Sequence, residues 1–132
     1  LVYHKTLNYG DCILEKRAAA AAGINEKIFI NTKGQISEGT VCNVFFVRKN
    51  MIYTPQLSCG LLPGILREYI MERFQVTETI IYPDELMYYE ECFVTNSLMG
   101  VMPVRQLGNI CFPHRAKADE VREVYEKEKM SL

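Results

Sequence analysis

No stretch of this chain strings together the roughly 20 apolar residues that a membrane span requires. Neither sign of charge dominates: 15 Lys and Arg stand against 16 Asp and Glu, interspersed and without a basic stripe. That balance argues against a nucleic-acid partner, as the missing apolar run argues against a membrane. Cysteine is present without pattern. Cys12, Cys42, Cys59, Cys92 and Cys111 are odd in number, widely spaced and mostly set among apolar residues, with no CxxC pair. A disulfide framework and a paired zinc site are thereby excluded, and reduced thiols in or near the core are expected, with no metal. Internal repeats, low-complexity tracts and a domain linker are all missing. No charged leader followed by an apolar stretch resembles a signal peptide, so a cytoplasmic location is expected.

What is present is the material for one globular domain: 132 residues, 48% of them hydrophobic. The pattern is mixed α and β. Leu1 to Tyr3 reads as a short strand leading into Lys5, and Asp11 to Ala22, rich in alanine and long side chains, reads as a helix stopped by Gly23. Lys27 to Asn31 and Gln35 to Glu38 read as strands joined by the polar turn Asn31-Thr32-Lys33-Gly34. Val44 to Val47 and Met51 to Tyr53 form a second hairpin around Lys49-Asn50. Pro63-Gly64 precedes a helix from Ile65 to Phe74, with Ile65, Leu66, Tyr69, Ile70 and Phe74 at helical spacing. Val76 to Tyr82 is a strand candidate, and Pro83-Asp84-Glu85-Leu86 opens a short helix. Cys92 to Thr95 and Val101 to Leu107 are further strands. The charged tail from Pro113 to Lys129 is helical, with Ala118, Val121, Val124 and Tyr125 as a narrow apolar stripe.

Four positions carry chemistry of interest, and each also has an ordinary reading. Lys5 is one lysine among eight and by itself reads as a surface charge. Glu38, at a strand end before Gly39, either projects into a cleft or is an exposed turn acid. Gly64-Ile65-Leu66, at the mouth of a helix, offers unpaired N–H groups and the positive end of the helix dipole to an anion such as phosphate, or is a turn before a core helix. Thr95-Asn96-Ser97 leaves an apolar strand where hydroxyls can complete an anion pocket, or is a plain strand exit. Together, an amine, an acid and a phosphate turn are the three parts a pyridoxal phosphate site needs.

The order and spacing of these parts resemble class IV aminotransferases, the pyridoxal phosphate enzymes of fold type IV. Glu38, Thr40, Asn43 and Phe45, then Ile52-Tyr53-Thr54, then Leu62-Pro63-Gly64-Ile65-Leu66-Arg67 follow that family's long signature. Ahead of them Lys5-Thr6-Leu7-Asn8-Tyr9 looks like the segment bearing the Schiff-base lysine, and the likeness runs to Pro103-Val104. The resemblance implies pyridoxal 5'-phosphate as cofactor, with Lys5 as catalytic amine and proton shuttle and Glu38 paired with the pyridine nitrogen. It further implies Tyr9 on the ring oxygen, Gly64, Ile65 and Leu66 on the phosphate through their N–H groups, and Ser97 adding a hydroxyl. Leu66 departs from relatives that carry threonine there, leaving backbone donation alone. Thr40 and Asn43 are expected to fix the loop behind the cofactor, and Arg67 to be structural.

The implied fold is α/β: a mixed sheet curling into a pseudo-barrel with helices packed outside, like the large C-terminal domain of D-amino acid aminotransferase. Residues 1–132 are expected to form that cofactor-binding domain, with the family's smaller N-terminal domain absent. A homodimer and a small-molecule substrate are also implied. The segment Thr95 to Val104 resembles the aminodeoxychorismate lyase branch, which eliminates pyruvate to give 4-aminobenzoate for folate synthesis. The alternatives are a transaminase of branched-chain or D-amino acids, and a domain that turns nothing over without its missing half.

Overall fold

The run Val44-Phe45-Phe46-Val47 shows no polar alternation, the pattern of a strand covered on both faces. The computed structural model of the chain buries all four of these side chains. It describes residues 3–14, 25–31, 34–39, 43–56, 64–96 and 100–130. Nine strands form one sheet: β1 Tyr3–Leu14, β2 Asn25–Asn31, β3 Ile36–Gly39, β4 Asn43–Arg48, β5 Met51–Pro55, β6 Val76–Thr79, β7 Glu91–Asn96, β8 Gly100–Leu107 and β9 Ile110–Cys111. Helices α1 (Ile65–Arg73) and α2 (Ala116–Met130) and a 3₁₀ helix (Pro83–Tyr88) complete the described residues. None of these helices is long and apolar enough to cross a membrane.

The strand order is β3-β2-β1-β8-β7-β4-β5-β6, with β9 paired to β8. All pairings are antiparallel except β5 with β6, which α1 links as a strand-helix-strand unit. The ends of this path meet. Ile36 of β3 donates its N–H to the carbonyl of Ile81, just beyond β6, at 2.6 Å, so the sheet curls back on itself as a pseudo-barrel. Val44 and Phe46 pack inside with Ile36, Ile81, Val94 and Leu107. Phe45 and Val47, on the opposite face, pack under Leu66 and Ile70 of α1 and Ala118 and Val121 of α2. Two cores thus share one pair of central strands, and Phe45 stacks on Phe93 of β7 at 4.9 Å between centroids.

Local chemistry explains the joints. Lys49 and Asn50 both adopt positive φ, 52° and 65°, as a two-residue hairpin with the twist of its strands requires. Helix α2 has its cap supplied from elsewhere. Buried Glu91 accepts hydrogen bonds from the N–H groups of Lys117 and Ala118 at 3.0 and 3.1 Å, placing a carboxylate on the positive end of the helix. Helices α1 and α2 are joined by Glu128, which accepts from the Tyr69 hydroxyl and from Arg73 Nε at 3.0 Å. The Arg73 guanidinium also lies over the Tyr69 ring at 4.9 Å.

Several sequence expectations need correction. Asp11 to Leu14 are not helical but continue β1, where Cys12 and Ile13 pair with β2 on one side and β8 on the other. The alanines that favoured a helix begin only at Ala18, and two-sided pairing overrides weak local propensity; residues 15–22 lie outside the described residues. Strand β6 stops at Thr79 because Ile81 turns into the barrel core. Ile65 is 82% exposed, so the buried face of α1 is Leu66 and Ile70, with Tyr69 and Phe74 at its edge. Strand β9 was not expected; its signal was Gly108-Asn109, where Gly108 adopts φ 61° in a two-residue turn. Cys92 is buried, whereas Cys111 is exposed, and neither is in a disulfide.

Two measurements test these joints. Glu91→Gln leaves one oxygen where two accept, and is expected to lower unfolding free energy by about 1–2 kcal/mol in denaturant titrations. The Glu128 carboxyl is held below the usual carboxylate range, first by the Tyr69 hydroxyl and also by Arg73. A depressed folded pKa stabilises above the unfolded value and loses that effect as pH falls through the folded one. The melting-temperature gap between the parent chain and Glu128→Gln is therefore expected to be widest near neutral pH and to close as acidification passes about pH 4.

Candidate active site

Strands β1, β2 and β3 carry the amine and the acid. Lys5 lies opposite Ile30 of β2, between two register shifts, one from Tyr3 to Lys5 and one from Thr6 to Asp11. Such irregularities re-aim a strand locally and recur beside active sites. Tyr9 falls within the second irregular stretch. Glu38 lies in β3, whose Ile36 pairs with the same Ile30. Strand β2 thus lies between the strands that carry Lys5 and Glu38, and across it Lys5 and Ile36, two residues before Glu38, are about 10 Å apart.

The phosphate turn sits at the other end of the same chain segment. Strand β3 ends at Gly39 and β4 begins at Asn43, whose side-chain Oδ1 accepts the Gly64 N–H at 3.2 Å. A Cβ at Gly64 would lie 2.7 Å from that oxygen, so any side chain there would push the asparagine off its hydrogen bond. Gly64 was expected to offer its N–H to phosphate. Its N–H is already engaged by Asn43, and its contribution is the missing side chain. The first i to i−4 bond of α1 runs from Glu68 N to Gly64 O, so the N–H groups of Ile65 and Leu66 precede the helical ladder and face out of the helix end. The Leu66 side chain is buried in the core and only its backbone can serve a ligand.

The framework holding that turn is polar and buried. Arg67 is 3% exposed, and its Nη2 donates to the Pro55 carbonyl at 3.1 Å and to Glu78 at 2.7 Å. It thereby ties α1 to the ends of both parallel strands, as its structural reading expected. Thr54, from the Ile52-Tyr53-Thr54 segment, donates its hydroxyl to the Val44 carbonyl at 2.8 Å and locks β5 to β4. Strand β7 reaches the same end of the sheet, since Asn43 pairs with Thr95. Ser97, Thr40 and Leu61 to Pro63 lie outside the described residues. Sequence reasoning missed the remote cap Glu91, which carries no local signal because its partners lie 26 and 27 residues away. Two clefts, of about 570 and 520 Å³, are lined by other residues and do not border the α1 N-terminus.

The described residues thus offer an amine strand, an acid strand and two helix-end donors, kinds of group that a planar, anionic cofactor would use. Comparison with known proteins agrees. The family model for amino-transferase class IV matches residues 1–107. A Thermotoga maritima protein described as a branched-chain-amino-acid aminotransferase is 36% identical over 90 residues, covering 64% of this chain and 33% of that protein. A Legionella pneumophila structure described as a 4-amino-4-deoxychorismate lyase superposes with a TM-score of 0.72 at 29% identity, covering 85% of this chain and 44% of the other. A branched-chain aminotransferase from Thermoproteus uzoniensis superposes with a TM-score of 0.71 at 27% identity, covering 82% and 38%. The chain spans a third to less than half of the length of these relatives.

Gly64→Ala is expected to lower stability by about 1 kcal/mol through loss of the Asn43 contact. In an Asn43→Ala background the same substitution is expected to have almost no effect. Additive losses in a double-mutant cycle measured by denaturation would disprove the clamp.

Proposed function

The chain belongs to the class IV aminotransferase family, whose cofactor is pyridoxal 5'-phosphate, and from that premise we propose that it carries the cofactor site of a lyase cleaving pyruvate from an amino-substituted cyclic enol ether, aminodeoxychorismate. The residues present fit the cofactor: a glycine crowded by the Asn43 side chain, two donors beyond the helical ladder, and an amine and an acid on strands with one strand between them. Bound pyridoxal phosphate supplies an electron sink next to the substrate's amine.

The chain's own residues divide the remaining work. Lys5 holds the cofactor covalently and, as a free amine, takes the ring proton beside the substrate's amino group. The C–O bond to the enolpyruvyl group breaks, and the proton is returned to the departing pyruvate. A neutral lysine is needed for this, and a desolvated site provides it. Glu38 keeps the pyridine nitrogen protonated. Ile65 and Leu66 hold the phosphate through their N–H groups, with Ser97 adding a hydroxyl and Tyr9 contacting the ring oxygen. In this reading a further domain and a second subunit close the site against water, as control of the proton transfer requires.

The observation that carries the lyase reading is the segment Thr95 to Val104. It pairs Asn96 with Gly100 at the sheet end where Asn43 grips Gly64, a position from which it can touch substrate. A second reading, transamination of branched-chain amino acids, is favoured by the identity to the Thermotoga protein. Borohydride reduction of the chain with pyridoxal phosphate, followed by peptide mapping, is expected to label Lys5, and Lys5→Ala to abolish the label. Label scattered over other lysines would refute the site. With the closing domain supplied, release of 4-aminobenzoate from aminodeoxychorismate supports the lyase; formation of keto acids from branched-chain amino acids in its place supports the transaminase.

A further inference from the structure

The Thr95 hydroxyl is a buried group without a partner. The residue is 1% exposed, and Oγ1 has no hydrogen-bond partner among the described residues. Hydroxyls in that condition are uncommon, because removing one from water without compensation is unfavourable. The neighbouring buried hydroxyl of Thr54 has its acceptor in the Val44 carbonyl, whereas Thr95 Oγ1 shares its condition with Arg67 Nε and Arg122 Nη1 among the described residues.

Its place in the sheet says what it faces. Phe45 and Phe93 are cross-strand partners on the helix side, packed in one cluster with Leu66 and Ile70 of α1. Two residues along each strand, Asn43 and Thr95 are the next partners on that face. Moving from Phe45 to Asn43 leads from the body of α1 to its first residue, since Asn43 is the side chain that binds Gly64 N–H. Thr95 is therefore the neighbour of the α1 N-terminus, its Cα within about 4.5–5.5 Å of that of Asn43.

We propose that Thr95 is an additional positioning residue of the phosphate turn, its hydroxyl finding its partner when an anion is held at the N-terminus of α1. Because Oγ1 is closed to bulk water, the partner is the anion itself or one water trapped beneath it. The inference rests on the cofactor reading above and adds a residue to it. Nothing in the sequence distinguishes Thr95 from Asn96 or Ser97; the orphaned atom does.

The test compares Thr95→Val, which keeps the shape and removes the hydroxyl, with Thr95→Ser, which keeps the hydroxyl. Binding of pyridoxal phosphate is followed by absorbance and of inorganic phosphate by calorimetry, and ligand-free chains are melted in parallel. Thr95→Val is expected to bind both ligands roughly tenfold more weakly while melting at or above the parent temperature, since it deletes an unsatisfied group. Thr95→Ser is expected to bind within about threefold of the parent. Unchanged phosphate binding by Thr95→Val, in a parent chain that does label at Lys5, would overturn the role of Thr95 and leave the cofactor reading intact. Loss of binding in both variants, with a lowered melting temperature, would overturn it as a packing effect. A parent chain that binds neither ligand and labels no lysine would remove the cofactor reading, and this inference with it.

Discussion

Strands β4 and β7 are buried on both faces, and the rest of the molecule is attached to that pair. One set of alternating side chains fills the curled sheet, and the other forms the floor for α1 and α2. A strand with apolar residues on both sides cannot sit at a surface, so barrel and helix layer must form around it together. The stacked Phe45 and Phe93 lie at the middle of the helix-side floor. The functional end begins one row beyond them, where the strands change from phenylalanine to asparagine and threonine.

That change turns packing into a site. Asn43 has the reach to bind a backbone N–H across from its strand, and the missing side chain of Gly64 leaves room for it. The helix that follows is fixed at three further points: Arg67 to the ends of the parallel strands, Leu66 and Ile70 to the floor, and Tyr69 and Arg73 to α2 through Glu128. A helix end held this firmly presents its first free N–H groups in one direction, which is what recognition of a phosphate demands. The α2 helix, capped by Glu91 of β7, braces the same layer from behind. The strand that carries Thr95 near its end also begins by capping a helix.

Much of this was legible in the chain. The hairpin at Lys49-Asn50, helix α1 and helix α2 announce themselves through turn residues and spacing, because their determinants are local. The motif residues Glu38, Asn43 and Gly64 to Arg67 were visible as a pattern, although the pattern did not say that Asn43 occupies the Gly64 N–H. The helix expected from Asp11, and Ile65 counted with the apolar face of α1 although it is exposed, show the limit. Whether Cys12 and Ile13 become strand or helix depends on whether β2 and β8 arrive on either side of them, and residue spacing contains no record of that arrival. Glu91 reads as one more acid beside another, since its partners belong to a helix that follows much later.

The sequence by itself determined which elements form wherever short-range forces suffice, and it determined the kinds of group available to a site: an amine, an acid, a glycine before a helix. Only the tertiary structure decided which of them meet. It closed the sheet through Ile36 and Ile81, brought a side chain of β4 under the first residue of α1, and left the Thr95 hydroxyl buried beside it with no partner among the described residues. Hydrogen bonds between distant residues depend on how the chain is folded back on itself. The order of residues along it lists the donors and acceptors but does not assign them to each other.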